Sequence, residues 1–491
     1  MQLIIPAGVN VLEYVRQKGL FLPAYCSGAG ECGKCRVKLI AGSLDITPED
    51  RRLLQETQLS QGLRLACKAF TKSPVRVELP DTPSQYDTPD KYWETPDPAH
   101  TFGIAADIGT TTIALSLVDI TDKRPVRTVT VTNSAAAYGA DVITRLGSAL
   151  SGKGSEIRKA MQHDLLTALQ KLEAPSLNII KMTVAANTAM YHLLLGFDCL
   201  GLCKAPFAPA TLGGETLPLY ELLGGECALP DIPVTLVKGI SAFVGGDISS
   251  GLASLPESGK TLLFLDLGTN GEAALVADDK LFCASAAAGP ALEGGELSCG
   301  CGGVRGAVCR VYDKDGALAF DTIDNAPPVG ICGSGAIDAL AFCLDKGYID
   351  KQGTFLDSFA DTGLALAENI SLTGQDIREL QLAKAAIRAC LDTLLVSADK
   401  TYADIDSLII AGGFGHFLDI DSACTVGLIP KELKPKTHSL GNTSLKGAQQ
   451  SLYDDSFFSR LSVLCSKAAT LPLSDDEGFK ERFIENINFN T

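Results

Sequence analysis

Three cysteines within ten residues, in "YCSGAGECGKC" (25–35), are the first residues of this chain whose spacing implies chemistry. Cys26, Cys32 and Cys35 read C-x5-C-x2-C, and Cys67 follows in "LRLACKA". Four thiolates can ligate a 2Fe–2S cluster. Gly28, Gly30 and Gly33 are free to take positive φ, wrap a loop around such a cluster and aim backbone N–H groups at its sulfurs. A distant strand carrying Cys67 would close the cage. Zinc is the rival, because C-x2-C pairs commonly bind it. Structural zinc usually draws on two such knuckles, whereas here three ligands share one loop and the fourth stands alone. Iron–sulfur is the preferred reading. Among the other cysteines, Cys299 and Cys301 in "LSCGCGGVRG", with Cys283 and Cys309 nearby, match no ligand spacing and read as core or loop thiols.

A second chemistry lies further along. "DIGTTT" (107–112) and "DLGTNGE" (266–272) each place an aspartate at the end of an apolar strand. Such an aspartate can hold Mg²⁺ through water, while the Gly and Thr after it turn N–H and hydroxyl groups toward phosphate oxygens. One D-x-G-T is an ordinary tight turn; two in matched settings point to a phosphate site. "LIIAGGFGHFLD" (408–419) is a strand running into Gly412, Gly413 and Gly415, a turn that lets backbone approach a base or sugar. "SGKT" (258–261) is set aside as a P-loop: Ser254 stands where the first glycine is required, and a strand follows instead of a helix. "GICGSGAIDAL" (330–340) opens a helix and reads equally as a pocket wall or a plain helix start. None of the five histidines sits in an Asp-x-His-x-x-Gly context. His192 reads as a core residue, and His416 follows the presumed nucleotide turn but reads as solvent-facing.

The elements that must position these groups fall into two textures. Residues 1–80 are short strands with one amphipathic helix, "VNVLEYVRQKG". Residues 81–100 hold four prolines, five acidic residues and the only tryptophan, Trp93. That composition describes a semi-rigid acidic linker, on which Trp93 is expected to dock against a domain surface. From residue 101 strands and helices alternate, and the two D-x-G-T units are an internal repeat about 160 residues apart. A duplicated α/β domain with a pocket between its halves follows.

Bulk properties narrow the field. The chain of 491 residues carries a net charge of −16, which disfavours nucleic acid as a partner. Residues 1–80 hold eleven basic and seven acidic side chains, +4 against −20 for the rest, so the head could dock on its own body or on an acidic partner. No apolar run is long enough for a membrane span, and "MQLIIPAGVN" lacks the basic segment of a signal peptide, so cytoplasm is the expected location.

The head resembles 2Fe–2S ferredoxins over residues 1–80, with the C-x5-C-x2-C spacing of adrenodoxin-like proteins. "DIGTTT", "DLGTNGE" and "GGFG", in that order, resemble the phosphate-1, phosphate-2 and adenosine motifs of the actin, sugar-kinase and heat-shock-chaperone superfamily. "GISAFVGGDISSGLA" (239–253) and "GNTSLKGA" (441–448) stand where that superfamily places two crossing connector helices. With "AANTAMYHLLLG", "GICGSGAIDALA" and "DIRELQLAKAAI" added, the chain resembles the reductive activators of corrinoid proteins over nearly its whole length. It departs in one expectation: a larger member carries a middle domain between linker and body, which this chain is expected to lack.

The resemblance implies an α/β fold with a small α+β head. A β-grasp ferredoxin domain (1–80) and the linker (81–100) precede a duplicated actin-like, ribonuclease-H-like ATPase domain (101–491), with lobes at about 101–255 and 256–491. It implies ATP-dependent transfer of one electron from the cluster to Co(II) of a partner corrinoid protein, which itself binds the cobamide. A reduced ferredoxin or flavoprotein would be the donor, and monomer and homodimer both stay open. Cys26, Cys32, Cys35 and Cys67 would hold the cluster. Asp107 and Asp266 would serve the Mg²⁺–phosphate site, with Gly109, Thr110, Thr111, Gly268, Thr269 and Asn270 at the phosphates. Gly412, Gly413 and Phe414 would lie near the adenosine, and Asp247 is a candidate for orienting the attacking water. Two alternatives remain: a small-molecule kinase with a redox-sensing ferredoxin domain, and a nucleotide-switched binding module.

Overall fold

Strand Thr101–Ile108 pairs antiparallel with the strand that returns from its turn, Thr112–Asp119, and parallel with Asn178–Ala186. Strand Leu262–Leu267 repeats this arrangement, antiparallel to Gly271–Ala277 and parallel to Ser407–Ala411. Each is the centre of a six-stranded sheet. The repeat read from the two D-x-G-T turns is thus a repeat of sheets. The computed structural model describes residues 1–489 except 19, 21, 23, 25, 27, 81–92, 140, 175 and 257–259, and omits the side chains of 357 and 416. Most of the expected linker, part of the "SGKT" string and the His416 side chain therefore lie outside the described residues.

Both faces of the central strands are covered, which is why they read as nearly unbroken apolar runs. In the first lobe Phe102, Ile104, Ala106 and Ile108 face a core built with helix Gly154–Lys171, which contributes Ile157, Met161 and Leu165. Ala105, on the opposite face, packs with Leu445, Ala448 and Leu452. Those three belong to the region of helix Thr443–Ser451, far along the chain. Reciprocally, Ile248 and Leu252 of helix Gly246–Ala253 pack on Phe264, Ala274 and Ile409 of the second sheet. Each connector helix covers the sheet of the other lobe, so the chain crosses over at a boundary that sequence placed simply near residue 255.

The two connectors meet at glycines. A Cβ on Gly447 would stand 2.1 Å from the Ser250 carbonyl oxygen, and one on Gly251 would stand 2.6 Å from Thr443 Oγ1. Ser250 Oγ donates to the Ser444 carbonyl at 2.9 Å, locking the crossing.

The head is a four-stranded sheet in the order Gln2–Ile5, Val75–Glu78, Arg36–Ala41, Leu63–Leu65. Helix Val11–Gln17 closes it, capped by Asn10 and burying Val11, Leu12 and Val15. Trp93 docks on the first lobe, its ring 4.9 Å from the Arg127 guanidinium. Among the described residues, no helix is long and apolar enough to cross a membrane. His192 is a core residue: Thr188 and Ala210 hold its two ring nitrogens at 2.8 and 2.9 Å, and burial lowers its pKa.

The connector crossing leaves no room for a side chain. Gly447→Val should therefore destabilise by about 1–3 kcal/mol through overpacking. Gly147→Ala, where nothing lies within 4 Å of an added Cβ, should not destabilise. Equal thermal midpoints for Gly447→Val and the parent protein would refute the close helix contact.

Candidate functional site

The cysteine loop takes the conformation that its glycines allow. Gly28, Gly30 and Gly33 have φ of +94°, +85° and +64°. The Glu31 N–H points at Cys26 Sγ at 3.4 Å. Cys67 sits not on a strand, as expected, but in the turn after Leu63–Leu65, where Asn10 Nδ2 holds its carbonyl at 2.9 Å. A turn serves better here, because its curvature brings the thiol back over the loop.

The sulfurs lie in two pairs, Cys26 with Cys32 and Cys35 with Cys67. Within each pair the thiol of one residue hydrogen-bonds the other, which lowers the pKa of Cys26 and Cys35 and raises that of Cys32 and Cys67. No three of the four have sulfurs within 4.8 Å of one another. A single tetrahedral zinc, with Zn–S near 2.3 Å, would hold all four within about 3.8 Å. Two thiol pairs set apart fit a two-iron centre with two cysteines on each iron. Cys283, Cys299, Cys301 and Cys309 form no such group among the described residues. Cys283 lies in the core, while Cys299 and Cys309 face backbone carbonyls.

Between the lobes is a cleft of about 160 Å³. Its lining includes Asp107, Gly109, Thr110, Thr111, Asp247, Asp266, Gly268, Thr269, Asn270, Gly412 and Gly413. Each D-x-G-T turn is closed by its glycine, at different spans: the Gly109 N–H donates to the Thr112 carbonyl three residues on at 2.8 Å, and that of Gly268 to the Asn270 carbonyl two residues on at 3.0 Å. Gly412 has φ +87°, and a Cβ there would stand 2.4 Å from the Leu267 carbonyl oxygen, so the adenosine strand lies directly on the second phosphate strand. Phe414, the third residue expected near the adenosine, is placed differently from its two glycine neighbours. It is absent from the lining and packs into the second lobe's core, against Gly333.

Seven further residues line the cleft and were not singled out in the sequence: Thr112, Leu267 and Glu272 in or beside the two turns, and four that hydrogen-bond to the turns. Asn442 Nδ2 and Ser444 Oγ each donate to Asp107 at 2.7 Å, tying the far connector helix to the first phosphate turn. Asn187 Nδ2 donates to Thr110 Oγ1 at 3.2 Å. Glu293 Oε2 accepts from Thr111 Oγ1 at 3.1 Å and from Thr269 Oγ1 at 2.8 Å, one carboxylate oxygen spanning both turns. Asn442 and Ser444 stood in a quoted string, "GNTSLKGA", and Asn187 in "AANTAMYHLLLG"; Glu293 carried no local signal.

Burial, reinforced by neighbouring carboxylates, raises Asp247 to about 7 and Asp266 to about 8. Burial also raises Asp107, Glu272 and Glu293. No lysine or arginine lines the cleft among the described residues. Phosphates entering it would meet backbone N–H groups and hydroxyls, and need a divalent cation to share the acidic site.

Comparison with known proteins assigns this arrangement. Residues 2–72 match the 2Fe-2S iron–sulfur cluster binding domain, 102–256 the RACo middle region, and 260–491 the C-terminal domain of RACo, the ASKHA domain. The corrinoid activation enzyme RamQ of Eubacterium limosum is 32% identical over 421 residues, 79% of this chain and 70% of that protein. The chain belongs to the RACo family of reductive activators of corrinoid proteins. The [Co(II) methylated amine-specific corrinoid protein] reductase of Methanosarcina barkeri is 26% identical over 79% of this chain and 77% of that protein. A solved reductive activator for corrinoid, iron–sulfur protein is 27% identical and superposes with a TM-score of 0.71, covering 99% of this chain and 96% of that one. The region that matches the family's middle region is the first lobe of the body itself. The head is a 2Fe–2S ferredoxin domain and the body an actin-like ATPase domain that takes ATP with Mg²⁺.

Two expectations follow. Replacing Cys67 with Ser should leave one of the two irons with a single cysteine and abolish most of the one-electron signal of dithionite-reduced protein. Stoichiometric zinc without iron would overturn the cluster. Asp247 and Asp266 sit above the ordinary aspartate value of 3.8. Without Mg²⁺, the stability tied to them is full below that value and is lost as pH rises through about 7 and about 8. The thermal midpoint in EDTA should therefore fall with rising pH in this window, and Asp266→Asn should flatten the slope. A parent protein with no slope there would contradict the burial argument.

Proposed function

We propose that this protein is a cytoplasmic, ATP-dependent activator that passes one electron to Co(II) of a partner corrinoid protein, restoring Co(I) for methyl transfer. The partner holds the cobamide, and a reduced ferredoxin or flavoprotein refills the head. The observation that carries this reading is the presence, in one chain of this family, of the paired cluster thiols and the acidic cleft with matched phosphate turns.

When bound, the 2Fe–2S cluster supplies electrons one at a time. Cys26, Cys32, Cys35 and Cys67 hold it, and the positive-φ glycines keep backbone N–H groups turned toward the sulfurs. In the cleft, Asp107 and Asp266 serve Mg²⁺ from opposite lobes. Thr110, Thr111, Thr269 and Asn270 take phosphate oxygens, and Gly412 and Gly413 leave room for the adenosine. Asp247 orients the attacking water; a value near neutrality suits a group that must accept a proton there. A shortfall of about 200 mV is about 4.6 kcal/mol for one electron. A nucleotide that binds one conformation about 10⁴-fold more tightly than another can shift an equilibrium by about 5.5 kcal/mol. The two are of one size, so nucleotide binding can drive the uphill transfer.

A Co(II) corrinoid protein should be converted to Co(I), followed by its visible spectrum, only when ATP, Mg²⁺ and a reductant are all present. Asp107→Ala and Asp266→Ala should each abolish this conversion while the cluster spectrum is unchanged. Full conversion without ATP would overturn the proposal.

A further inference from the structure

The head touches both lobes. On the first, Arg16 of helix Val11–Gln17 is 7% exposed, donates to the Ala137 carbonyl and lies 4.9 Å from the Tyr138 ring centroid. Its neighbour Glu13 faces Lys153 at 3.8 Å. On the second, Lys34, between Gly33 and the cluster ligand Cys35, donates to the carbonyls of Leu297 at 3.0 Å and Gly300 at 3.5 Å.

Leu297 and Gly300 lie on the loop that leaves Glu293. That loop is a stiff part of the second lobe. A Cβ on Gly294 would stand 2.2 Å from the Cys301 carbonyl oxygen, and one on Gly300 2.0 Å from that of Gly294. Ser298 is fastened to Asp376 through its N–H at 2.6 Å and its hydroxyl at 2.7 Å. The contacts therefore form a closed ring: first lobe to head, head to second lobe, and second lobe back to the first through Glu293 and Thr111.

We propose that this ring is a nucleotide-released clamp, in which Glu293 reads the phosphates and the Lys34 contact covers the partner-facing surface of the head. Two hydroxyls from opposite lobes converge on one carboxylate oxygen, the donor set that a phosphate oxygen takes. A phosphate oxygen that takes these two hydroxyls displaces Glu293 and breaks this tie between the lobes, leaving those of Asn442 and Ser444 to Asp107. Two separate footholds cannot both survive a change in lobe angle. Arg16 is held by a hydrogen bond, a ring and close packing, whereas Lys34 is held by one ammonium group, so Lys34 lets go. The Lys34 ammonium so uncovered joins a rim rich in cations, with Glu49 beside Lys68 and Arg52 already exposed. Arg36 Nε and Arg52 Nη2 each brace the cluster loop at 2.8 Å, on the Gly33 and Gly30 carbonyls, and Lys68 reaches over Gly30. It fits an acidic protein surface.

The inference rests on the cleft's being the ATP site, and its test separates the two. Full-length holoprotein is treated with an amine-acetylating reagent, with and without Mg²⁺ and a non-hydrolysable ATP analogue. Modification of Lys34 is read by mass spectrometry against Lys72, whose side chain is 79% exposed. Nucleotide should speed Lys34 modification about tenfold, the size expected for releasing one charged hydrogen-bond donor. Glu293→Ala should speed it without nucleotide, with the cluster spectrum retained as a check of folding. If calorimetry shows the analogue bound and Lys34 is no more reactive, the clamp is refuted while the ATP site stands. If the analogue does not bind, the ATP site fails and the clamp with it.

Discussion

Asp107, Asp247, Asp266, Glu272 and Glu293 bring five acidic side chains into one cleft, and burial raises the proton affinity of each. Like charges so enclosed must keep protons, find neutral donors or share a cation. All three solutions are built in. Asp247 and Asp266 are pushed to where they hold protons near neutral pH. Asp107 is satisfied by Asn442 and Ser444, and Glu293 by two threonine hydroxyls. Arg145, fully buried and lowered to about 10 by that burial, places its charge within reach of Glu293. The cation is left to arrive with the nucleotide, so binding and neutralisation become one event.

The donors that satisfy these carboxylates are also what hold the lobes together. Asn442 and Ser444 cap and begin a helix whose apolar face lies on the first sheet, although their chain segment leaves the second. Glu293 belongs to the second lobe and Thr111 to the first. Rearranging charge in the cleft must therefore change contacts between lobes. The glycine crossing at Gly251 and Gly447, locked by Ser250 and Ser444, keeps the two connectors together while those contacts change.

Much of this was legible in the sequence where the signal is local. An aspartate ending an apolar strand before Gly-Thr specifies its own turn, so both phosphate turns and their repetition could be read directly. The cysteine spacing was equally local, and its glycines took the expected positive φ. What could not be read arises from tertiary approach. Glu293 stands in "GPALEGGE", with no periodicity to mark it, and matters only because two turns 158 residues apart converge on it. Phe414 follows two cleft glycines in sequence, yet the helix that begins at Gly412 turns its ring toward Gly333. The choice between zinc and a two-iron centre likewise lay in distances between sulfurs, which spacing along the chain does not fix.

The charge asymmetry of the chain gains a physical meaning from how the head is seated. A head of +4 is attracted to a remainder of −20 over the range of a Debye length. Yet across the contact Arg16 and Lys34 end on carbonyl oxygens of Ala137, Leu297 and Gly300, and the carboxylate that Arg16 also bonds, that of Glu13, belongs to the head itself. The neutral acceptors of Lys34 fix its orientation without pairing its charge, so that cation keeps most of its long-range field, whereas Arg16 shares its charge with Glu13. Had these footholds been buried salt bridges, leaving one would expose an uncompensated charge at a cost of about 3–5 kcal/mol. Separation from a carbonyl instead exchanges one oxygen acceptor for water. The head is thus oriented by contacts that are inexpensive to break and attracted by a field that an acidic partner can supply equally well. An electron carrier that must serve two surfaces in turn needs both properties at once.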